Sequence, residues 1–338
     1  MRMNIRNVLL HLPYHNETIF NFCHSLLLRQ ARRTRRNEKK SCFDADEIIR
    51  KNGLNGLEIM ETEVFPGKKN VVRIRDSRGR NLILKTGKID PFQSRLFVAA
   101  KAIEKHLCFR VPALVDHGNG WILTEEVEGK YLNGFFDSNP EYCINVSNDV
   151  SDDYRVIIKE LKAVQSPGNL LQDGSVWLFS MLNLWSKPII DAGLIDFHLV
   201  KNLASEFQGI IDRKGERAFE WCHGNVIGDH VIVSEDGDMY LLDLNVVPRF
   251  GRGYHDFLRA IDFMIVKSER DKEIFDALPL WIDAHLSEFD RREVMLTLAF
   301  RLIGILGWDI LHNKAGSEQI DIEAKKLRIA RFIREAVY

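Results

Sequence analysis

Two kinds of hydrophobic periodicity meet near Gly129, and that junction restricts the possible folds more than any other feature of the chain. Upstream, residues 57–65, Val71-Val72-Arg73-Ile74-Arg75 and Asn81-Leu82-Ile83-Leu84-Lys85 read as strands. Pro66-Gly67 and Asp76-Ser77-Arg78-Gly79 separate them, which predicts an antiparallel meander. A helix is expected over 92–107, where Leu96, Ala99, Ala100, Ile103 and Leu107 recur at helical spacing. Val111-Pro112 and residues 121–127 supply two further strand candidates around turn residues 116–120. Downstream, 150–220, 254–269, 272–288, 290–312 and 317–337 carry helical patterns. One interruption stands among them, at 223–243, where Val231-Ile232-Val233 and Tyr240-Leu241-Leu242 flank the hairpin signal Glu235-Asp236-Gly237-Asp238. A β lobe followed by a helical lobe, joined near 124–130, predicts a two-lobed α+β architecture.

The 338 residues are enough for two such lobes. Their formal charge of −1 excludes a chain-wide basic surface for nucleic acid, but it is a sum over unlike parts. Residues 1–40 hold nine Arg or Lys against Glu17 and Glu38, a net of +7, so the remainder carries −8. The basic block at 29–40 follows an apolar stretch (Ile19, Phe20, Phe22, Leu26, Leu27, Leu28) and reads as a solvated arm or appended helix. The other reading is a contact with an anionic partner. Asp44 and Glu47 have capping-box spacing ahead of Ile48 and Ile49, so a short helix ending near Gly53 begins the body of the protein. The expected division is an extension over 1–43, a β lobe over 44–128 and a helical lobe over 129–338. Five scattered cysteines without a CxxC pair predict neither a zinc ribbon nor a disulfide framework. With no secretory pattern and no run of about 20 apolar residues, a soluble cytoplasmic protein with no transmembrane segment is expected.

The stretch 221–245 carries the chemistry. A loop rich in His, Asn and Asp (His223, Asn225, Asp229, His230) leads into the hairpin, whose second strand delivers Asp243 at its end. Hard oxygen donors such as Asp243 suit Mg²⁺. The arrangement suits phosphoryl transfer, which depends on positioning and on neutralising phosphate charge.

Here the sequence resembles the aminoglycoside phosphotransferase and choline kinase group of kinase-like small-molecule phosphotransferases. The family's loop reads His-Gly-Asp, four residues, Asn, three apolar residues, a hairpin and an Asp-bearing strand. His223-Gly224-Asn225, four residues, His230, Val231-Ile232-Val233, Asp236-Gly237 and Leu242-Asp243 follow that layout. Tyr254-His255-Asp256-Phe257 is similar to the family's helix start, whose Asp buttresses the loop. Residues 67–72 look like its phosphate-covering loop and second strand, Lys85 like its phosphate-gripping lysine, and 124–129 like its adenine-binding hinge. The resemblance spans residues 44–335 and implies a protein kinase-like fold, ATP and Mg²⁺ as cofactors, and γ-phosphoryl transfer to a hydroxyl or amine of a small molecule. It implies nucleotide contacts at Gly67, Lys85, Glu126 and Val127, metal ligands at His230 and Asp243, and catalytic-loop positions at His223, Asn225 and Asp229.

Two departures bear on activity. Asn225 stands where the family has its catalytic Asp, and an amide hydrogen-bonds but takes no proton. His230 replaces the metal-binding Asn, and Asp229 beside it offers a carboxylate. On the helix over 92–107 the only acid is Glu104, as partner for Lys85 or as a solvated residue. His223 more often bonds loop backbone than does chemistry, and Cys222 reads as buried filler because no base is placed for it. Three expectations stay open: a kinase, a pseudokinase that kept the cleft without the base, and an interaction protein directed by its basic arm.

Overall fold

The computed structural model describes residues 14, 16–40, 49, 59–64, 71–86, 91–162, 168–226, 228–312 and 319–338. Gly67 and the short helix expected after Asp44 lie outside these, apart from Ile49.

The first lobe is a five-stranded antiparallel sheet in the order β1-β2-β3-β5-β4. Its strands are β1 (Ile59–Val64), β2 (Val71–Asp76), β3 (Asn81–Thr86), β4 (Leu114–Gly118) and β5 (Trp121–Glu125). The expected meander is β1-β2-β3. The expected strand at Val111-Pro112 forms instead over β4, including residues read as a turn. Pairing with β5 extends across them through a register irregularity between Leu114 and Asp116. Strand alternation divides the lobe. Val72, Ile74, Leu82, Leu84, Trp121 and Leu123 close a small core on one face. Val71, Arg73, Ile83 and Lys85 are thereby turned to the other face, toward the second lobe. Helix α1 (Glu17–Lys40) precedes the sheet, and α2 (Pro91–Ile103), between β3 and β4, joins the larger core through Leu96, Phe97 and Ala100.

Gly129 sits at the junction with φ +152°, and a Cβ there would overlap the Val233 carbonyl oxygen. Beyond it, β6 (Lys130–Tyr131), β8 (Val231–Val233) and β9 (Met239–Leu241) form a small sheet, and β7 (Phe219–Cys222) pairs with β10 (Val247–Phe250). Residues 219 and 220 were expected to be helical. Four-residue strands are too short to show their own period.

Seven helices build the rest of the second lobe among the described residues: α3 (Pro140–Lys162), α4 (Leu170–Asp191), α5 (Phe197–Lys214), α6 (His255–Lys267), α7 (Asp271–His285), α8 (Arg291–His312) and α9 (Gln319–Val337). Over 291–311, α8 is apolar and long enough to cross a membrane, which departs from the sequence expectation. Its residues Leu296, Leu298, Phe300, Leu302 and Ile303 are buried in the core against α4 and α6, as an interior helix apolar on most faces should be.

Helix α1 is docked, not detached. Phe20 and Cys23 are buried while Phe22 and Ile19 are exposed, so the docked face is not the full apolar run. Tyr14 Oη donates to the Phe179 carbonyl at 2.7 Å, and Asn183 Nδ2 donates to the Phe20 carbonyl at 3.3 Å, fastening the segment to α4.

Candidate active site

The loop between β7 and β8 is held from below by one carboxylate. Asp256, in the first turn of α6 and almost fully buried, accepts from His223 N–H at 3.0 Å and Gly224 N–H at 2.7 Å. Gly224 has φ +75°, and a Cβ there would overlap Val247 Cγ2, so only glycine lets β10 approach this closely. His223 Nδ1 accepts from Asn225 N–H at 3.2 Å, which leaves the ring proton on Nε2, where it is donated to the Asp243 carbonyl oxygen. Tyr154 packs edge-on to this imidazole at 4.9 Å and donates its hydroxyl to the Asn245 carbonyl at 2.7 Å. His223 thus ties the loop to the strand end carrying Asp243, a positioning task.

A cavity of about 560 Å³ between the lobes gathers Lys85, Glu126, Val127, Asp229, His230 and Asp243. Lys85 Nζ lies 3.7 Å from Asp243 Oδ1 and donates to the Leu242 carbonyl at 3.0 Å. Burial alone raises the Asp243 carboxyl, but Lys85, His223, His230 and the Asn245 amide outweigh it and hold the group below the usual carboxylate range. Burial pushes the His230 imidazole down to about 4, so it is neutral near pH 7. Its Nδ1 is engaged with the Asn225 carbonyl at 3.0 Å, which directs Nε2 to act as the acceptor.

Among the described residues no cluster of three or more His, Cys, Asp or Glu is arranged to hold a metal. An ionised Asp243 and a neutral His230 on one wall nonetheless fit a divalent cation that takes its remaining ligands from phosphates and water, the usual habit of Mg²⁺.

The side chains of Glu126 and Glu104 are both engaged within the first lobe, and Glu126 still lines the cavity. Glu126 is engaged by Arg73, whose Nε lies 3.0 and 2.9 Å from its two oxygens, and its N–H is donated to the Asn81 carbonyl at 3.0 Å. All of the hinge positions 124–129 line the cavity, Glu126 and Val127 among them. Glu104 does not reach Lys85. Helix α2 ends at Ile103, and Glu104 bonds Lys101 at 2.6 Å and accepts from Val111 N–H at 3.3 Å. The residue that α2 sends to the site is Gln93, whose Nε2 lies 3.4 Å from Asp243 Oδ1 and 3.0 Å from Asn245 Oδ1.

A second cavity, about 470 Å³, opens on the other side of the loop between α4, α6, α8 and β10. Asn225 lines it, and Asp229 lines both cavities. Arg259 Nε donates to Asn225 Oδ1 at 2.9 Å, so the amide oxygen already has a cationic partner. Asp262, fully buried, in turn binds Arg259 and, at 2.7 Å, Arg301. Sequence reasoning missed Arg259, although it stands three residues after Asp256 and therefore shares its helix face. Asp229 accepts a hydrogen bond from Asn133 Nδ2.

No protein-family model matches the chain, and no curated protein matches it. Solved structures do. An aminoglycoside phosphotransferase from Alicyclobacillus acidocaldarius is similar at a TM-score of 0.52 and 15% identity, over 83% of this chain and 93% of that one. A macrolide 2'-phosphotransferase type I is similar at 0.51 and 12% identity, over 85% and 97%. The chain therefore has the two-lobed kinase-like fold seen in those phosphotransferases.

Proposed function

We propose that the chain is an ATP-dependent phosphotransferase acting on a small molecule, with nucleotide in the inter-lobe cavity and acceptor in the cavity behind the catalytic loop. The observation that carries this reading is the meeting of the two cavities at Asp229, with Lys85, His230 and Asp243 on one side and Asn225 on the other. The solved structures of like fold are named as phosphotransferases of aminoglycosides and macrolides, which favours the same reaction class here. The division at 43 and 128 goes with this reading, as does a cytoplasmic setting where ATP is present; Cys23, Cys108, Cys143 and Cys222 are free thiols. The basic block at 29–40 adds no anionic macromolecular partner to it.

Lys85 places a positive charge against the phosphates, and Val127 and Glu128 lie where backbone meets adenine. Asp243 and His230 would hold the metal, which when bound neutralises charge on the transferring phosphoryl group. His223 fixes the position of Asp243 through its carbonyl, and Gln93 orients the carboxylate from the other lobe. The acceptor oxygen forms the new O–P bond, the bond from γ-phosphorus to the bridging oxygen breaks with its electron pair leaving on ADP, and the acceptor proton passes to the Asp229 carboxylate. Asn225, its oxygen held by Arg259, takes no proton.

That last contact also favours a second reading, a nucleotide-binding module without transfer. Thermal shift with ATP and Mg²⁺, combined with ADP release over a panel of hydroxyl- and amine-bearing acceptors, separates the two. Transfer through Asp229 predicts turnover that falls about 10²–10⁴-fold in Asp229→Asn and changes less than about tenfold in Asn225→Asp. Nucleotide stabilisation without turnover, with turnover appearing in Asn225→Asp, selects the second reading. No stabilisation by ATP with Mg²⁺ refutes both.

A further inference from the structure

The cavity behind the loop is cationic and aromatic. Arg249, Arg259, Arg301 and Lys267 line it together with the indoles of Trp177, Trp185 and Trp308. Of the carboxylates nearby, Asp262 is shared by Arg259 and Arg301, and Asp256 beneath the loop adds a negative charge felt by Arg249 and Arg259. Asp229 stands at the boundary with the nucleotide cavity, and Asp309 is the other acid on the wall.

Arg249 is the informative member. It forms no ion pair with any described carboxylate, and its Nη1 donates to the carbonyl of Pro248 at 2.9 Å. Its Nε is buried without a hydrogen-bond partner. The guanidinium carbon sits 4.1 Å from the Trp177 ring centroid, a cation–π contact. Nε also lies within 3.0 Å of where a Cβ on Gly224 would be, which places the charge against the catalytic loop, one residue from Asn225. Burial, with Arg301 and Arg259 nearby, pushes its pKa down to about 10, and it still carries its charge near pH 7. Arg249 as a whole is only partly buried and lines the cavity, so an anion there meets the outer part of its fork, whose planar shape suits carboxylates and phosphates.

We infer that the acceptor is an amphiphilic anion: a hydroxyl- or amine-bearing molecule whose carboxylate or phosphate group docks on Arg249, with a flat apolar body against Trp177, Trp185 and Trp308. A polycationic acceptor of the aminoglycoside kind meets like charge here. The assignment rests on the proposed phosphotransferase reading for the transfer step after binding; anion capture itself needs no transfer.

The test uses the full chain and four isosteric probes: para-hydroxymethylbenzoate, its phenylphosphonate counterpart, the neutral benzamide and a cationic para-aminomethyl benzyl alcohol. Titration calorimetry without nucleotide should show at least one anion binding about tenfold or more tighter than the neutral and cationic probes. The benzoate and phosphonate arms distinguish a carboxylate from a phosphate ligand. Arg249→Gln should abolish the preference and Arg249→Lys should keep part of it, circular dichroism reporting that each is folded. Should Arg249→Gln fail to fold, Lys267→Gln at the exposed edge of the wall provides the second variant, and the anion preference should shrink in it. Equal binding of neutral and anionic probes, preference for the cation, no binding at millimolar concentration, or a preference indifferent to the folded variants overturns the inference. Anion binding intact but without ADP release in the presence of ATP and Mg²⁺ refutes the transfer reading and leaves the anion site standing. Release with the cationic probe alone does the reverse.

Discussion

Glu220 offers a quantitative test of the electrostatics under the loop between β7 and β8. It lies in β7, three residues before His223, in register with Arg249 on β10. Burial, reinforced by repulsion from Asp256 and only partly offset by Arg155, raises its carboxyl to about 7. A carboxyl whose pKa is higher in the folded than in the unfolded state binds its proton more tightly when folded. Its contribution to stability is therefore complete below the unfolded value of 4.5 and is lost as pH rises toward about 7. At about 1.4 kcal/mol per unit the full effect is about 3 kcal/mol, and partial solvent access brings the expectation to about 2–3 kcal/mol. Glu220→Gln keeps the shape and removes the titration. Urea unfolding followed by tryptophan fluorescence should show the variant gaining about 2–3 kcal/mol on the wild type between about pH 5 and pH 8, most of it before about pH 7. Taking the difference between the two proteins cancels the opposite slope of His230, whose depressed pKa makes stability rise with pH between about 4 and 6.5. A difference that stays flat across the range would show that Glu220 is solvated, and that repulsion from Asp256 does not reach it.

Three further outcomes are expected from the same geometry. Asp256→Ala removes the acceptor for two buried N–H groups and should lower unfolding free energy by about 2–5 kcal/mol in chemical denaturation, with loss of nucleotide-induced stabilisation; an unchanged midpoint would mean that water replaces the cradle. Gly224→Ala forces a Cβ against Val247 at a positive φ and should destabilise by about 1–3 kcal/mol or more, measured the same way. Asp243→Asn should abolish the Mg²⁺-dependent part of ATP stabilisation in thermal shift while the EDTA-treated nucleotide signal persists, and an unaltered Mg²⁺ response would remove Asp243 from the metal site.

The division between what sequence reveals and what it conceals tracks the reach of each interaction. His223, Asn225, His230 and Asp243 belong to one continuous loop and hairpin, so their spacing alone places them together. Lys85 is legible because strand alternation turns it away from Leu82 and Leu84, toward the cleft. Glu104 misleads because the helical pattern over 92–107 does not show that the helix ends at Ile103, nor that its first turn, through Gln93, meets the site. The cationic cavity was invisible for a different reason. Its arginines come from β10, α6 and α8, and its indoles from α4 and α8; nothing local links them. The buried carboxylate of Asp262, accepting from two of those helices, brings two of the arginines together.

The docking of the N-terminal helix has a consequence during synthesis. Phe20 and Tyr14 find their partners on α4 more than 160 residues later in the chain, through contacts separated by 163 and 165 positions. At ribosomal rates of about 5–20 residues per second, that interval lasts on the order of 10–30 s. Throughout it this helix has left the ribosome ahead of the α4 surface that covers Phe20. Among the described elements, a helix made early is therefore among the last to be secured, and α4, which carries two of the second cavity's tryptophans on another face, reaches its final surroundings only when that helix docks.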